Sequence, residues 1–265
     1  MPSERDVEAL CRAYFAYLRL SAETIEGPGF RAVRQVRAPL IYMVNHLQVD
    51  PGAAVDVDAF FTFMEAELGS LDHRFVITGP LVDPVLLARL VEADFRGEPT
   101  WQGLLSGPVR GPAPIGGDIR PVRTEEDWRH LDRLVRADHV ETDERLGRSV
   151  LTPEVTAQIQ EVRRTCRNEV HFFLSWEGAE PVAYFSSWPG VGGVGMVEDL
   201  FTLPSHRGRG HARALIHHCV ADARARGADQ VLIGAYPDDT PKNAYAAMGF
   251  DSTCLTWEWL KLPKR

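Results

Sequence analysis

The 265-residue chain has little cysteine, no excess of basic charge and no long apolar run. Its four cysteines, Cys11, Cys166, Cys219 and Cys254, are scattered through apolar stretches and form no C-x-x-C pair. That spacing points to buried free thiols and away from a disulfide framework or a zinc site. No metal is expected. The net charge of −8 lacks the clustered Lys and Arg that phosphate backbones require, so nucleic acid is not expected as a partner. No apolar stretch is long enough to span a bilayer, so no membrane association is expected either. The opening Met-Pro-Ser-Glu-Arg-Asp has no apolar core of the signal-peptide kind, and the cytoplasm is the expected location.

What is present is the composition of a globular protein, with 45% apolar and 25% charged residues. Ser106 to Gly117 is rich in Pro and Gly, which prevents both helix and central strand. It divides the chain into an N-terminal α/β domain (1–105), a linker (106–117) and a C-terminal domain (118–265).

In the C-terminal part, residues 119–122 read as a strand. Thr124, followed by three acidic residues, and Thr152-Pro153 read as helix starts. Strands follow at 170–176, 182–188 and 196–203, then a helix at 210–226 with an unbroken apolar face. A strand at 230–235, a short helix at 241–248 and a strand at 253–262 complete the order β-α-α-β-β-β-α-β-α-β. In the N-terminal part, an amphipathic helix is followed by strand 40–47, helix 57–68, strand 74–78, helix 85–93 and strand 100–105. The last five elements repeat the order of residues 196–262. An ungapped match of 76–95 on 231–250 pairs Val76 with Val231, Gly79 with Gly234, Asp83 with Asp238 and Phe95 with Phe250.

The chemistry centres on residues 197–212, where a strand runs into a Gly-rich turn that opens the long helix. Such a turn aims backbone N–H groups at one point, and the helix dipole adds positive potential there. Gly208 and Gly210 let a ligand approach without a Cβ in the way, and Arg207 and Arg209 add charge. This is a diphosphate cradle. It is not a Walker loop, and the literal G-x-G-x-x-G at Gly190, Gly192 and Gly195 precedes a strand, so it reads as a hairpin loop.

Arg207-Gly-Arg-Gly210-His-Ala212 and, downstream, Tyr245-Ala-Ala-Met-Gly249-Phe250 resemble the two signature motifs of the GNAT superfamily of N-acetyltransferases. The resemblance covers residues 118–265. It implies a mixed, mostly antiparallel sheet flanked by helices, and acetyl transfer from acetyl-CoA to a primary amine, in a small molecule or in a protein Lys or N-terminus. It further implies that Leu200, Phe201 and Thr202 bind pantetheine and the thioester carbonyl through their backbone, and that N–H groups of Arg207, Gly208, Arg209, Gly210, His211, Ala212 and Arg213 hold the pyrophosphate. Asp238 stands near the place where many members have a pantetheine-contacting Asn, a departure because a carboxylate cannot donate. Tyr245 is the candidate general acid and Glu198 the candidate base; strand alternation sends Glu198 and Asp199 to opposite faces.

The acidic stretch 138–144 reads as a loop between the first two helices that could attract a cationic amine or simply be solvated. The N-terminal part reads either as a degenerate GNAT-like copy, with Leu90 in place of Tyr245 and residues 51–57 in place of the arginine-glycine turn, or as an unrelated lid or dimerisation domain. A homodimer is compatible with both. A CoA-binding regulatory module without catalysis is the competing function.

Overall fold

The computed structural model describes residues 3–113 and 117–263. Residues 114–116, within the Pro- and Gly-rich segment, lie outside the described residues. In chain order the elements are α1 (Glu4–Leu18), β1 (Glu23–Gly27), β2 (Phe30–Arg34), β3 (His46–Val49), α2 (Val57–Leu68), β4 (Arg74–Thr78), α3 (Pro84–Glu92) and β5 (Arg96–Leu105). They continue as β6 (Asp118–Pro121), α4 (Glu125–Arg145), α5 (Pro153–Thr165), β7 (His171–Glu177), β8 (Glu180–Val191), β9 (Val194–Thr202), α6 (His211–Ala225), β10 (Gln230–Ala235), α7 (Pro241–Ala247) and β11 (Asp251–Lys261).

The helix starts are written locally. Ser3 and Asp6 form a reciprocal capping box on α1, and Thr124 and Asp127 do the same on α4. Asp56, Asp83 and Thr152 cap α2, α3 and α5, the last two with proline at the first position.

Two compact units form: Met1–Leu104 with Gly234–Ala246 and Phe250–Arg265, and Leu105–Ile233 with Ala247–Gly249. In the first unit the sheet order is β1-β2-β3-β4-β11-β5, antiparallel throughout except for the parallel pair β3–β4. The last strand of the chain is thus inserted between two early ones: Trp259 lies opposite Val76 of β4 and Gly97 of β5. Its indole joins a core of Phe30, Leu47, Phe60, Met64, Leu86 and Leu90, and its Nε1–H donates to Thr78 Oγ1 at 3.2 Å. In the second unit the order is β10-β9-β8-β7-β6, again antiparallel except for one parallel pair, β9–β10. Leu215, Ile216, Cys219, Val220 and Ala223 on the inner face of α6 are buried, as their helical spacing requires.

In each unit the strands are mixed, mostly antiparallel and flanked by helices, the expected class. Each parallel pair is bridged by a helix, so β3-α2-β4 and β9-α6-β10 are the same motif twice. The architecture is duplicated.

Three local readings change. The strand expected at 40–47 begins at His46, because buried Asn45 donates to the carbonyls of Ala38 and Ile41 and accepts from the N–H of Gln35, tying the preceding residues into a short helical turn. The β1–β2 hairpin is not legible in the sequence, because its outer strand is half polar and mostly exposed. The acidic stretch 138–144 is not a loop: α4 runs through it to Arg145. Among the described residues, no helix is long and apolar enough to cross a membrane.

Candidate acyl-CoA site

The parallel ladder between β9 and β10 ends at Val197–Ile233, while β9 continues to Thr202. Over this extension β9 is paired with β8 through a bulge. Glu198 lies opposite Ser186 and Phe201 opposite Tyr184, so Asp199 and Leu200 together face Phe185. At the bulge Asp199 has φ +66°, the left-handed region. A non-glycine residue there costs about 1–2 kcal/mol. The bulge breaks the plain alternation expected of Glu198 and Asp199 and re-aims the side chains on either side of it.

After Thr202 a single 3₁₀ turn, Pro204–His206, leads into the Gly-rich turn. Gly208 and Gly210 have φ +77° and +92°. Gly210 caps α6 without any side-chain bond. No described residue accepts a hydrogen bond from the N–H groups of residues 208–213; the first bond of α6 is Ala214 N–H to Gly210 C=O at 3.0 Å. A Cβ added at Gly208 would meet nothing within 4 Å. Unpaired amides around open space at the positive end of a fifteen-residue helix are what a diphosphate requires.

The flanking arginines are not free charges. Arg207 pairs with Glu141 at 3.1 Å and its Nε donates to Thr202 C=O; Arg209 pairs with Glu177 at 2.7 Å. His211 directs its ring to Ser175 and Glu177, leaving only its backbone N–H for the cradle. Burial is the largest single influence on Glu177 and raises its pKa, but Arg209, His211 and His206 together outweigh it and hold the carboxyl below its usual range. Positive potential at the turn therefore comes mainly from oriented amides. Arg213, on the first turn of α6, has its guanidinium against Gly111.

Of the pantetheine-binding candidates, Phe201 is buried and in ring contact with Tyr184, while Leu200 and Thr202 are half-buried. Thr202 Oγ1 is itself buried without a hydrogen-bond partner among the described residues. Glu198 is half-buried, and its C=O accepts from Ser186 Oγ at 2.8 Å.

Tyr245 and Asp238 belong to the first unit, the other candidates to the second. Tyr245 is buried on α7, 6.2 Å from the ring of Phe250, with its C=O accepting from Phe250 N–H. Asp238 is exposed in the turn before α7.

A half-buried polar network lies behind the bulge. Tyr184 Oη donates to Asp138 at 2.7 Å, and Thr142 Oγ1 donates to the same carboxyl. Burial pushes the Asp138 pKa up, against these two hydrogen bonds. Arg163 of α5 pairs with Asp199 at 2.7 Å. Only the helical phase of Asp138 could have signalled this, and the acidity of the stretch hid it.

In the first unit the equivalent turn is closed. The Asp56 carboxylate accepts from Ala59 N–H at the start of α2, Gly52 N–H donates to Leu81 C=O, and Ala53 N–H to Asp50 C=O. A carboxylate already occupies the place an anion would take. Among the described residues, no group of three or more His, Cys, Asp or Glu is arranged to hold a metal ion.

Residues 128–250 match the sequence profile of the Acetyltransferase (GNAT) family. The C-terminal half of the chain therefore carries a GNAT-superfamily acetyltransferase domain, which supports acetyl-CoA-dependent acyl transfer in general terms. Solved structures share the fold over nearly the whole chain. A conserved protein of unknown function from Staphylococcus epidermidis is 14% identical with a TM-score of 0.70, covering 97% of this chain and 100% of that one. A GCN5-related N-acetyltransferase from Kribbella flavida is 17% identical with a TM-score of 0.68, covering 98% and 96%. A tandem GNAT protein from the clavulanic acid biosynthesis pathway is 15% identical with a TM-score of 0.59, covering 89% and 79%. No curated protein matches the sequence significantly.

Proposed function

We propose that the chain is an N-acetyltransferase that moves the acetyl group of acetyl-CoA to a primary amine by direct attack. The observation that carries this reading is the set of unpaired N–H groups at residues 208–213, opened toward space by two left-handed glycines. Acetyl-CoA supplies the activated acyl group as a thioester. The Arg207 N–H donates to Pro204 C=O, so the amides of residues 208–213 hold its diphosphate, and the backbone of residues 200–202 binds the arm and the thioester carbonyl; Asp238 is carried as a further contact. A donor placed where charge develops on that oxygen favours the transition state over the ground state.

Glu198 takes the proton lost by the amine, through water, and Tyr245 gives a proton to the departing sulfur. A phenol suits the second task because it stays protonated near neutral pH. In this reading residues 118–265 are the acting copy, 1–105 the degenerate one and 106–117 the link, with the Asp56 cap as the reason the first copy binds no CoA. The acceptor is a small-molecule amine or a protein Lys or N-terminus.

Free thiol released from acetyl-CoA in the presence of a panel of amines tests the reading. Turnover is expected, with Glu198→Gln and Tyr245→Phe each lowering kcat about 100-fold, the low end for loss of a general acid or base. Calorimetric binding of acetyl-CoA without turnover on any amine would favour a regulatory CoA-binding module. No binding would remove both.

A further inference from the structure

We infer that Arg163 is a positioning residue: its ion pair with Asp199 holds the β9 bulge in the shape that presents Glu198 and the backbone of residues 200–202. The inference rests on the acetyl-transfer reading for its effect on rate, but not for its effect on the bulge.

The bulge is a conformation that needs outside support. Asp199 occupies a backbone region that glycine adopts freely and a residue with a side chain does not. Residues held in such regions persist where their surroundings over-determine them. Here β-ladder bonds contribute little: the β10 ladder has ended at Val197, and the β8 ladder is interrupted between Glu198 and Phe201. The support comes from a side chain. Arg163 Nη2 donates to Asp199 Oδ2 at 2.7 Å, with the arginine side chain only 12% exposed.

Arg163 is itself fixed from behind. Its Nη1 donates to Gln160 Oε1 at 2.8 Å, and buried Gln160 donates to Asp132 Oδ1 at 2.6 Å. Its guanidinium also lies 5.9 Å from the ring of Tyr184, the residue opposite Phe201 across the bulge. A hydrogen-bonded path of side chains thus runs from Asp132 of α4 through Gln160 and Arg163 of α5 to Asp199 of β9. Glycine would take the same backbone shape without strain, whereas Asp199 brings a carboxylate that Arg163 holds at 2.7 Å.

The variants Asp199→Gly, Asp199→Asn and Arg163→Met separate the clamp from the backbone. Hydrogen exchange of the amides of residues 199–202, with acetyl-CoA affinity and thiol release measured alongside, gives the readouts. In Arg163→Met these amides are expected to exchange about tenfold faster, through local opening of the bulge, with α6 unaffected. kcat is expected to fall up to about 100-fold, the scale of a small misplacement, while the Kd for acetyl-CoA changes little. Asp199→Asn, which keeps a side chain suited to the left-handed region, and Asp199→Gly, which removes the strain, should both lose rate. Neither should lose more when combined with Arg163→Met, the mark of a coupled pair.

Unchanged exchange in Arg163→Met, or parental kcat in Asp199→Gly, would overturn the inference. If the parent protein shows no turnover, the acetyl-transfer reading fails. The exchange data then decide by themselves whether Arg163 holds the bulge.

Discussion

His46 opens β3 with its ring wholly removed from water, and burial pushes its pKa down to about 3. It is neutral in the fold, whereas in the unfolded chain it titrates near 6.5. Between those values the unfolded state binds more protons, so stability rises with pH and is lost as pH falls toward the folded value. The slope is about 1.4 kcal/mol per pH unit. Between pH 6.5 and pH 5 the parent protein should therefore lose about 2 kcal/mol that His46→Leu does not. Urea midpoints of the two proteins at pH 7 and pH 5 check this. A parallel decline in both would assign the acid sensitivity to other groups. The unforeseen roles of Asp138 and Arg163 belong to this scale too. Composition marks both as surface residues, and only the packing of α4 and α5 beside β8 and β9 half-buries them against Tyr184 and Asp199.

At the scale of the element, the junction of β9 and α6 carries the functional claim, and much of it was legible beforehand. Gly208 and Gly210 at a strand end, before an unbroken apolar helical face, define a turn and a helix start from local rules alone. What local rules could not say is that Glu141 and Glu177 neutralise Arg207 and Arg209, because both carboxylates come from distant segments. If amides and not guanidiniums grip the diphosphate, Gly208→Ala should weaken acetyl-CoA binding about tenfold, equivalent to ~1.4 kcal/mol. The added methyl has room, so the loss of stability should stay near the ~1 kcal/mol of a left-handed alanine. Arg209→Gln should matter less than Gly208→Ala. Calorimetry ranks the two, and the opposite order would move the binding energy to the arginine.

At the scale of the whole molecule, the position of β11 dominates. Its neighbours β4 and β5 both lie within the first 105 residues, and Trp259 completes the core around Phe30 and Phe60. A fragment starting at residue 106 lacks both partners of its last strand. It should be insoluble or should bind hydrophobic dye with weak near-UV dichroism; a well-folded, active fragment would refute this. In the full chain, Trp259→Ala should cost about 3–5 kcal/mol. A denaturant titration followed by hydrogen exchange in β4 and β5 measures that loss.

Helix caps, the two glycines and the type of each element in the repeated β-α-β-α-β order are short-range features, and the sequence alone determined them because each depends on residues within a turn or two of one another. Which strand pairs with which was decided only in three dimensions. A strand's apolar pattern tells which face is buried, while its edges are backbone, identical in every strand and silent about their partner. For the same reason the last strand joining the first unit, and the arginine of α5 reaching the bulge of β9, could be found only in the folded chain.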